Sequence, residues 1–178
     1  MMEIQEYEEK YADDVRHVCL AAGSGKFPDS VILDVFCNYY IQYEPENCFI
    51  AVEDGIARGY IICALDYDRF EEVFAKEILK KSGNPLTKMM GKGSLESLKK
   101  YREEYPAHLH IDLDPGIQGQ GVGTKLMEAL ISHLKEKHVK GVMFGVDPKN
   151  ENAIRFYEKM GFTVISSGRH EMNMGMKL

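Results

Sequence analysis

Apolar positions follow two periods along this chain, and the switch between them marks out its elements. His108–Leu113 alternates strictly: Leu109, Ile111 and Leu113 point one way and His110 and Asp112 the other, the period of a half-buried strand. Met127, Leu130, Ile131 and Leu134 then recur at i, i+3, i+4 and i+7, one face of an amphipathic helix. The same reading predicts a short strand at Ile4–Tyr7 and a helix carrying Val15, Val18, Cys19 and Ala22, stopped at Gly23-Ser24-Gly25. A second helix is expected from Asp29, as N-cap, through Val31, Val35, Phe36 and Tyr39. Cys48–Glu53 and Ala57–Leu65 read as a hairpin around Asp54-Gly55. Late in the chain come a strand at Gly141–Val146 and a turn at Asp147–Asn150. A helix bearing Ala153, Phe156, Tyr157 and Met160 follows and stops at Gly161, before strands at Phe162–Ile165 and His170–Met176. Met172, Met174 and Met176 fall on one side of the last strand and read as packing. The 66–105 segment lacks strand character. Phe70, Val73, Phe74 and Ile78 suit one helix and Ser94–Tyr105 another. Ser82-Gly83-Asn84-Pro85 and Gly91-Lys92-Gly93 are expected to punctuate a mobile stretch between them. Such an insertion is either a solvated helical cover or a substrate lid, with Tyr67, Asp68, Phe70, Tyr101 and Tyr105 as candidate recognition residues.

The junction at 114–124 carries the chemistry. Asp114-Pro115-Gly116 ends the strand, and Gln118-Gly119-Gln120-Gly121-Val122-Gly123-Thr124 leads into the helix. Helix-start amides without partners, a helix dipole and absent Cβ atoms make an anion cradle, sized here for a pyrophosphate. A P-loop needs lysine before its serine or threonine, whereas the order here is Thr124-Lys125. A dinucleotide fingerprint needs G-x-G-x-x-G early in a βαβ unit, whereas Gly119-Gln120-Gly121-Val122-Gly123 has Lys125 rather than glycine further on and lies two-thirds of the way along the chain. The pattern Q/R-x-x-G-x-G/A fits at every position, although a glycine-rich turn can also be only a tight connection.

Composition narrows the setting. A chain of 178 residues suits a single domain spanning 1–178, and 44% hydrophobic with 28% charged residues is ordinary for a soluble globular protein. A net charge of −6 without a basic block argues against a nucleic-acid partner and is compatible with a cationic one. Cys19, Cys37, Cys48 and Cys63 lack metal-ligand or disulfide-framework spacing, so no metal is expected and reduced, buried thiols are. The acidic start has no apolar leader, and nowhere do about 18 apolar residues run together, so a cytoplasmic protein without a membrane partner is expected.

A second motif joins the first. Asn150–Phe162 resembles the N-x-x-A-x-x-F-Y-x-K-x-G-F signature of the GNAT N-acetyltransferase superfamily, and Gln118–Gly123 resembles that superfamily's acetyl-CoA loop. The β-α-α-β-β then β-α-β-α-β-β order follows the same superfamily. Within it, the insertion and the HLHIDLDP strand resemble a subgroup that includes the acetyltransferase-like domain attached to some O-GlcNAc hydrolases. The resemblance implies an α/β (α+β) GNAT fold. Its central sheet would be mixed, mostly antiparallel, twisted and flanked by helices, with a helical insertion at about 66–105. It also implies acetyl-CoA as co-substrate and direct acetyl transfer to a primary amine of a small molecule or protein, by a monomer or homodimer. The alternative is a catalytically silent CoA-binding module.

Residue by residue, the resemblance implies that the backbone of Ile111 and Leu113 pairs with the pantetheine arm. Amides from Gln118, Gly119, Gln120, Gly121, Val122, Gly123 and Thr124 would take the pyrophosphate. Asn152 and Phe156 would hold the arm and Lys159 the nucleotide end. Tyr157 would be the acid that protonates the departing thiolate, a role a phenol with an unperturbed pKa of about 10 can fill; by its helical face alone it is equally ordinary core. The alternative reading of Asn152 is a helix cap and that of Lys159 a solvated helix face. No glutamate stands at the early strand position, where Ala107 and His108 lie. The general base is left open among His110, Asp112, Glu103 and Glu104.

Overall fold

The computed structural model describes residues 1–178. Seven strands form one open sheet: β1 (Glu3–Glu6), β2 (Phe49–Glu53), β3 (Ile56–Ala64), β4 (Ala107–Leu113), β5 (Gly141–Val146), β6 (Thr163–Ser167) and β7 (Met172–Lys177). Their order is β1-β2-β3-β4-β5-β7-β6, and every pair is antiparallel except β4–β5. The β2–β3 hairpin turns through Asp54 and Gly55, both at positive φ (53° and 79°), as an Asp-Gly turn requires.

Alternation on the strands builds two cores. Tyr60, Ile62 and Ala64 of β3 pack beneath α1 (Ala12–Ala22), α2 (Asp29–Phe36), α3 (Asn38–Tyr43), α4 (Tyr67–Val73) and α5 (Pro85–Lys99). Ile61 and Cys63, with Leu109 of β4, pack on the opposite face beneath α6 (Val122–Glu136). The short α7 (Glu151–Lys159) lies on that second side, with Phe156 and Tyr157 against the core. All four cysteines are buried and free. Met174 is fully buried and Met172 and Met176 pack on the second core, as their alternation indicated.

Three local expectations are corrected. The helix expected from Asp29 through Tyr39 is two helices, parted at Cys37 (φ −133°, ψ −59°); Pro28 holds the N-cap position and no side-chain cap bond forms. Gly91-Lys92-Gly93 does not interrupt the insertion, because α5 runs straight through it. Gly91 faces Leu79 and Phe74 so closely that a Cβ there would lie 2.4 Å from Leu79 Cδ2, making it a packing glycine. The second insertion helix therefore spans Pro85–Lys99 rather than Ser94–Tyr105, starting at an Asn84 side-chain cap on the Leu86 amide (2.9 Å). The π-helical turn Phe74–Leu79 continues α4, pushing Phe74 and Leu79 into the first core.

Four of the five recognition candidates of the insertion, Tyr67, Phe70, Tyr101 and Tyr105, lie in or against the first core, and Asp68 is exposed. Tyr67 is buried and donates its hydroxyl to the Leu95 carbonyl (2.7 Å), and Phe70 stacks between Tyr40 and Phe74. Asp68 pairs with Arg102 at 3.0 Å. Tyr101 packs against the first core, and Tyr105 fills the space over Gly141 and Gly175. The insertion covers the sheet.

Candidate active site

β4 and β5 touch only at their beginnings. Their parallel register holds at Ala107↔Val142 and His108↔Met143, after which β4 stays with β3 and β5 with β7. Two cavities occupy the resulting cleft. A wide one, about 710 Å³, runs along Ile111, Asp112 and Leu113 past Gln118, Gly119, Gly121, Gly123 and Thr124 to Asn152, Phe156 and Tyr157. A narrow one, about 200 Å³, lies between His110 and Gly145, and the two share Ile111, Asp112, Val146 and Tyr157.

The wide cavity's floor is backbone. None of the amides from Gly119 to Thr124 donates to a backbone carbonyl, while Gln118 before them and Lys125 after them do. Gly121 caps α6 in the left-handed region (φ 79°), which turns these donors toward one side without a competing side-chain cap. Open space surrounds Gly119 and Gly121, so nothing shields their amides from an incoming anion. Thr124 adds a hydroxyl to the wall. The amides meet the demand of a pyrophosphate, and the apolar wall of Ile111, Leu113 and Phe156 suits the arm of a CoA thioester.

Other expected residues divide. Val122 buries its side chain in the second core, and Gln120 turns its carboxamide to the Gly116 carbonyl (2.9 Å), so each offers only its amide. The Gln118 amide is taken by Pro115 (3.4 Å) and its side chain donates to the Leu113 carbonyl (3.2 Å). Gln118 therefore steadies the turn against β4, and its amide is not one of the free donors. Asn150, not Asn152, caps α7 by accepting from the Ala153 amide (3.1 Å). Asn152 stands on the cavity wall, accepting from Arg155 (2.7 Å). Lys159 is exposed and outside both cavities. Glu103 is exposed on the far end of the insertion and Glu104 pairs with Lys177 (2.9 Å); neither lines the cleft.

His110 and Asp112 do line it, on the side facing the first core. The hydroxyl of Tyr40 lies 3.0 Å from His110 Nε2 and 2.9 Å from His108 Nε2, donating to one ring and accepting from the other. Burial pulls His110 down to about 4, and burial followed by the His110 charge pulls His108 down to about 3, so both rings are neutral at pH 7. His108 Nδ1 is sealed without a partner, whereas His110 Nδ1 bonds to no protein atom and stays accessible from the cleft. Asp112 accepts from Tyr60 at 2.5 Å; burial raises it to about 6 against the pull of that bond. Tyr157 packs on Phe144 (4.2 Å between rings), and burial with the Asp112 charge raises its pKa well above that of a free phenol. It stays protonated. Tyr40, Tyr60 and the wall residues Ala22, Val146, Asn150 and Ala153 escaped the sequence reading. Nothing local marks the two tyrosines, which reach the cleft from helices and strands distant in the chain.

The sheet thus parts beside a glycine-rich helix start, with Tyr157 and His110 lining the gap. The chain belongs to the acetyltransferase (GNAT) family, whose model matches residues 12–162. It is 26% identical over 124 residues to N-alpha-acetyltransferase 30 of Schizosaccharomyces pombe, covering 70% of this chain and 62% of that protein. Mycothiol acetyltransferase of Streptosporangium roseum is 47% identical over 53 residues, 30% of this chain. The match spans only 16% of that longer protein. Among solved structures, SsHAT superposes with a TM-score of 0.88 at 25% identity, over 99% of this chain and 98% of that one. The NatC complex bound to Gag peptide and CoA shares the fold, with a TM-score of 0.66 at 16% identity, over 99% of this chain and 98% of that one. No helix is long and apolar enough to cross a membrane, and no cluster of His, Cys, Asp or Glu has the makings of a metal site.

Proposed function

We propose that this protein transfers the acetyl group of acetyl-CoA directly to a primary amine, as one domain with no covalent enzyme intermediate. The observation that carries this reading is that Tyr157 and His110 line one and the same cavity in the β4–β5 cleft. The co-substrate supplies an activated thioester. Gly119–Thr124 amides hold its pyrophosphate, the Ile111 backbone and the Leu113 amide face its arm while Gln118 occupies the Leu113 carbonyl, Phe156 packs on the arm and Asn152 is placed to bond it.

His110 is the base that the sequence left unassigned. Its neutral Nδ1 takes the proton from the amine as the new C–N bond forms, and Tyr40 keeps the ring in place through Nε2. Tyr157 gives its proton to the sulfur as the C–S bond breaks, and the proton held on His110 restores it. The proton count closes. Glu103 and Glu104 play no part. Asp112, which lines both cavities, supplies a carboxylate beside the reacting nitrogen.

Calorimetric titration with acetyl-CoA beside CoA, NAD and ATP, followed by thiol release across amine classes, tests the proposal. Selective acetyl-CoA binding with amine-dependent release supports it. Binding without release from any amine means a silent CoA module, and preference for NAD means that the cradle has been misassigned. The rate should also report Asp112. The carboxylate is ionised above about 6, so kcat/KM should fall as pH drops through that value, and Asp112→Asn should remove the limb. Its neighbours Tyr60, His110 and Tyr157 do not change charge in that window.

A further inference from the structure

The narrow cavity is acidic, and its charges are arranged along its length. Leu109, at its inner end, is buried, while Gly145 and Asp147 are solvent-exposed, so it runs from a closed end to an open one. Leu109, Ile111, Phe144 and Val146 make apolar walls, Asp112 and His110 lie inside, and no lysine or arginine contributes. The open end carries Asp147 and Gly145, and Glu171 lays a carboxylate over Gly145: a Cβ there would lie 2.5 Å from Glu171 Oε1. Glycine at 145 is what lets that carboxylate lie over the strand. Asp147 accepts from the Lys149 amide (2.9 Å) and has no cation, and Glu171 pairs with neither Arg169 nor any other cation. An unpartnered imidazole nitrogen inside thus meets unpaired carboxylates at the mouth.

Resting on the acetyl-transfer reading, we infer that the acceptor is a small diamine or polyamine. Its reacting nitrogen lies at His110 and Asp112 and a trailing ammonium is held between Asp147 and Glu171. The wide cavity takes the thioester arm as far as the shared wall of Asp112 and Tyr157, which leaves the narrow one for the amine. A narrow cavity without a cation, with Asp112 inside and Asp147 at its open end, fits a short amine bearing a second cation at its far end. It repels an amine with a carboxylate at its far end.

The test compares kcat/KM for 1,4-diaminobutane, 1-aminobutane, 4-aminobutanoate and N-acetyl-lysine methylamide at saturating acetyl-CoA. The diamine should exceed 1-aminobutane by roughly fivefold or more, the size expected of exposed ion pairs, with 4-aminobutanoate last. The Asp147→Asn/Glu171→Gln double variant should bring the diamine-to-monoamine ratio close to unity. Parity of the two in the native protein, or preference for 4-aminobutanoate or for the lysine amide, overturns the inference and leaves acetyl transfer standing. If no amine releases thiol, acetyl transfer itself fails. Calorimetry of 1,4-diaminobutane with the CoA-saturated protein then decides the rest: binding weakened by the double variant supports the cationic site, and no binding overturns it.

Discussion

Gly121 and Gly91 are the same residue in opposite employment. Gly121 stands at the head of α6 with a φ of 79° and open space around it, and its missing side chain exposes a row of free amides to the cleft. Gly91 lies in the middle of α5 against Phe74 and Leu79, and its missing side chain lets the π-helical turn approach. One glycine makes a site and the other makes a core. The difference teaches that a glycine in a sequence announces closeness without saying to what, and that only the neighbouring elements decide between ligand and protein.

The largest effect should come from filling the first glycine. Gly121→Asp puts a carboxylate where phosphate oxygens approach and asks an L-residue to hold a left-handed conformation. Affinity for acetyl-CoA should fall by about 100-fold or more while the protein remains folded. Calorimetry with circular dichroism reads both, and a folded variant with native affinity would sink the cradle.

Next comes Tyr157, the proposed acid, on the wall of the same cavity. Tyr157→Phe removes one hydroxyl from a ring fixed by Phe144, Phe156 and Phe162, so packing survives. With a proton donor lost, kcat should fall by about 100-fold with KM for acetyl-CoA little changed, the range ordinary for general acid catalysis. Unchanged turnover would return Tyr157 to the core.

Filling the second glycine should do the reverse of filling the first. Gly91→Val forces Leu79 and the Phe74 ring aside, and overpacking of this kind costs about 1–3 kcal/mol of stability. Acetyl-CoA affinity should stay native, because no residue of the insertion lines either cavity. A weakened affinity in a stably folded variant would tie the insertion to the cleft.

What the sequence made legible was local or periodic. The Asp54-Gly55 hairpin, the alternation of β4, the stripe of α6 and the glycine turn each carry their signal within a few residues. The break at Cys37 has no glycine or proline to announce it, and α2 and α3 read as one amphipathic run. The hydrogen-bonded groups lining the narrow cavity were only half visible. His110 and Asp112 share a strand face, but Tyr40 and Tyr60, which fix their state, are 70 and 52 residues away in sequence. Insertion aromatics such as Tyr67 and Phe70 looked free for recognition because burial is a tertiary property, and the first core claims them.

The smallest effect separates the two readings of the insertion most cleanly. Gly93 lies two residues beyond Gly91, in the same helix but on its exposed side, and a Cβ there would meet nothing within 4 Å. If α5 is continuous, Gly93→Ala relieves a helix of its most flexible interior residue and should stabilise the protein by up to about 1 kcal/mol. Urea unfolding with an unchanged m-value would register that gain. If Gly91-Lys92-Gly93 instead breaks the chain into a mobile stretch, alanine has no helix to reward, and the midpoint should not move. A stabilised Gly93→Ala beside a destabilised Gly91→Val would show that glycines one position apart from being neighbours serve packing on one side of α5 and nothing on the other.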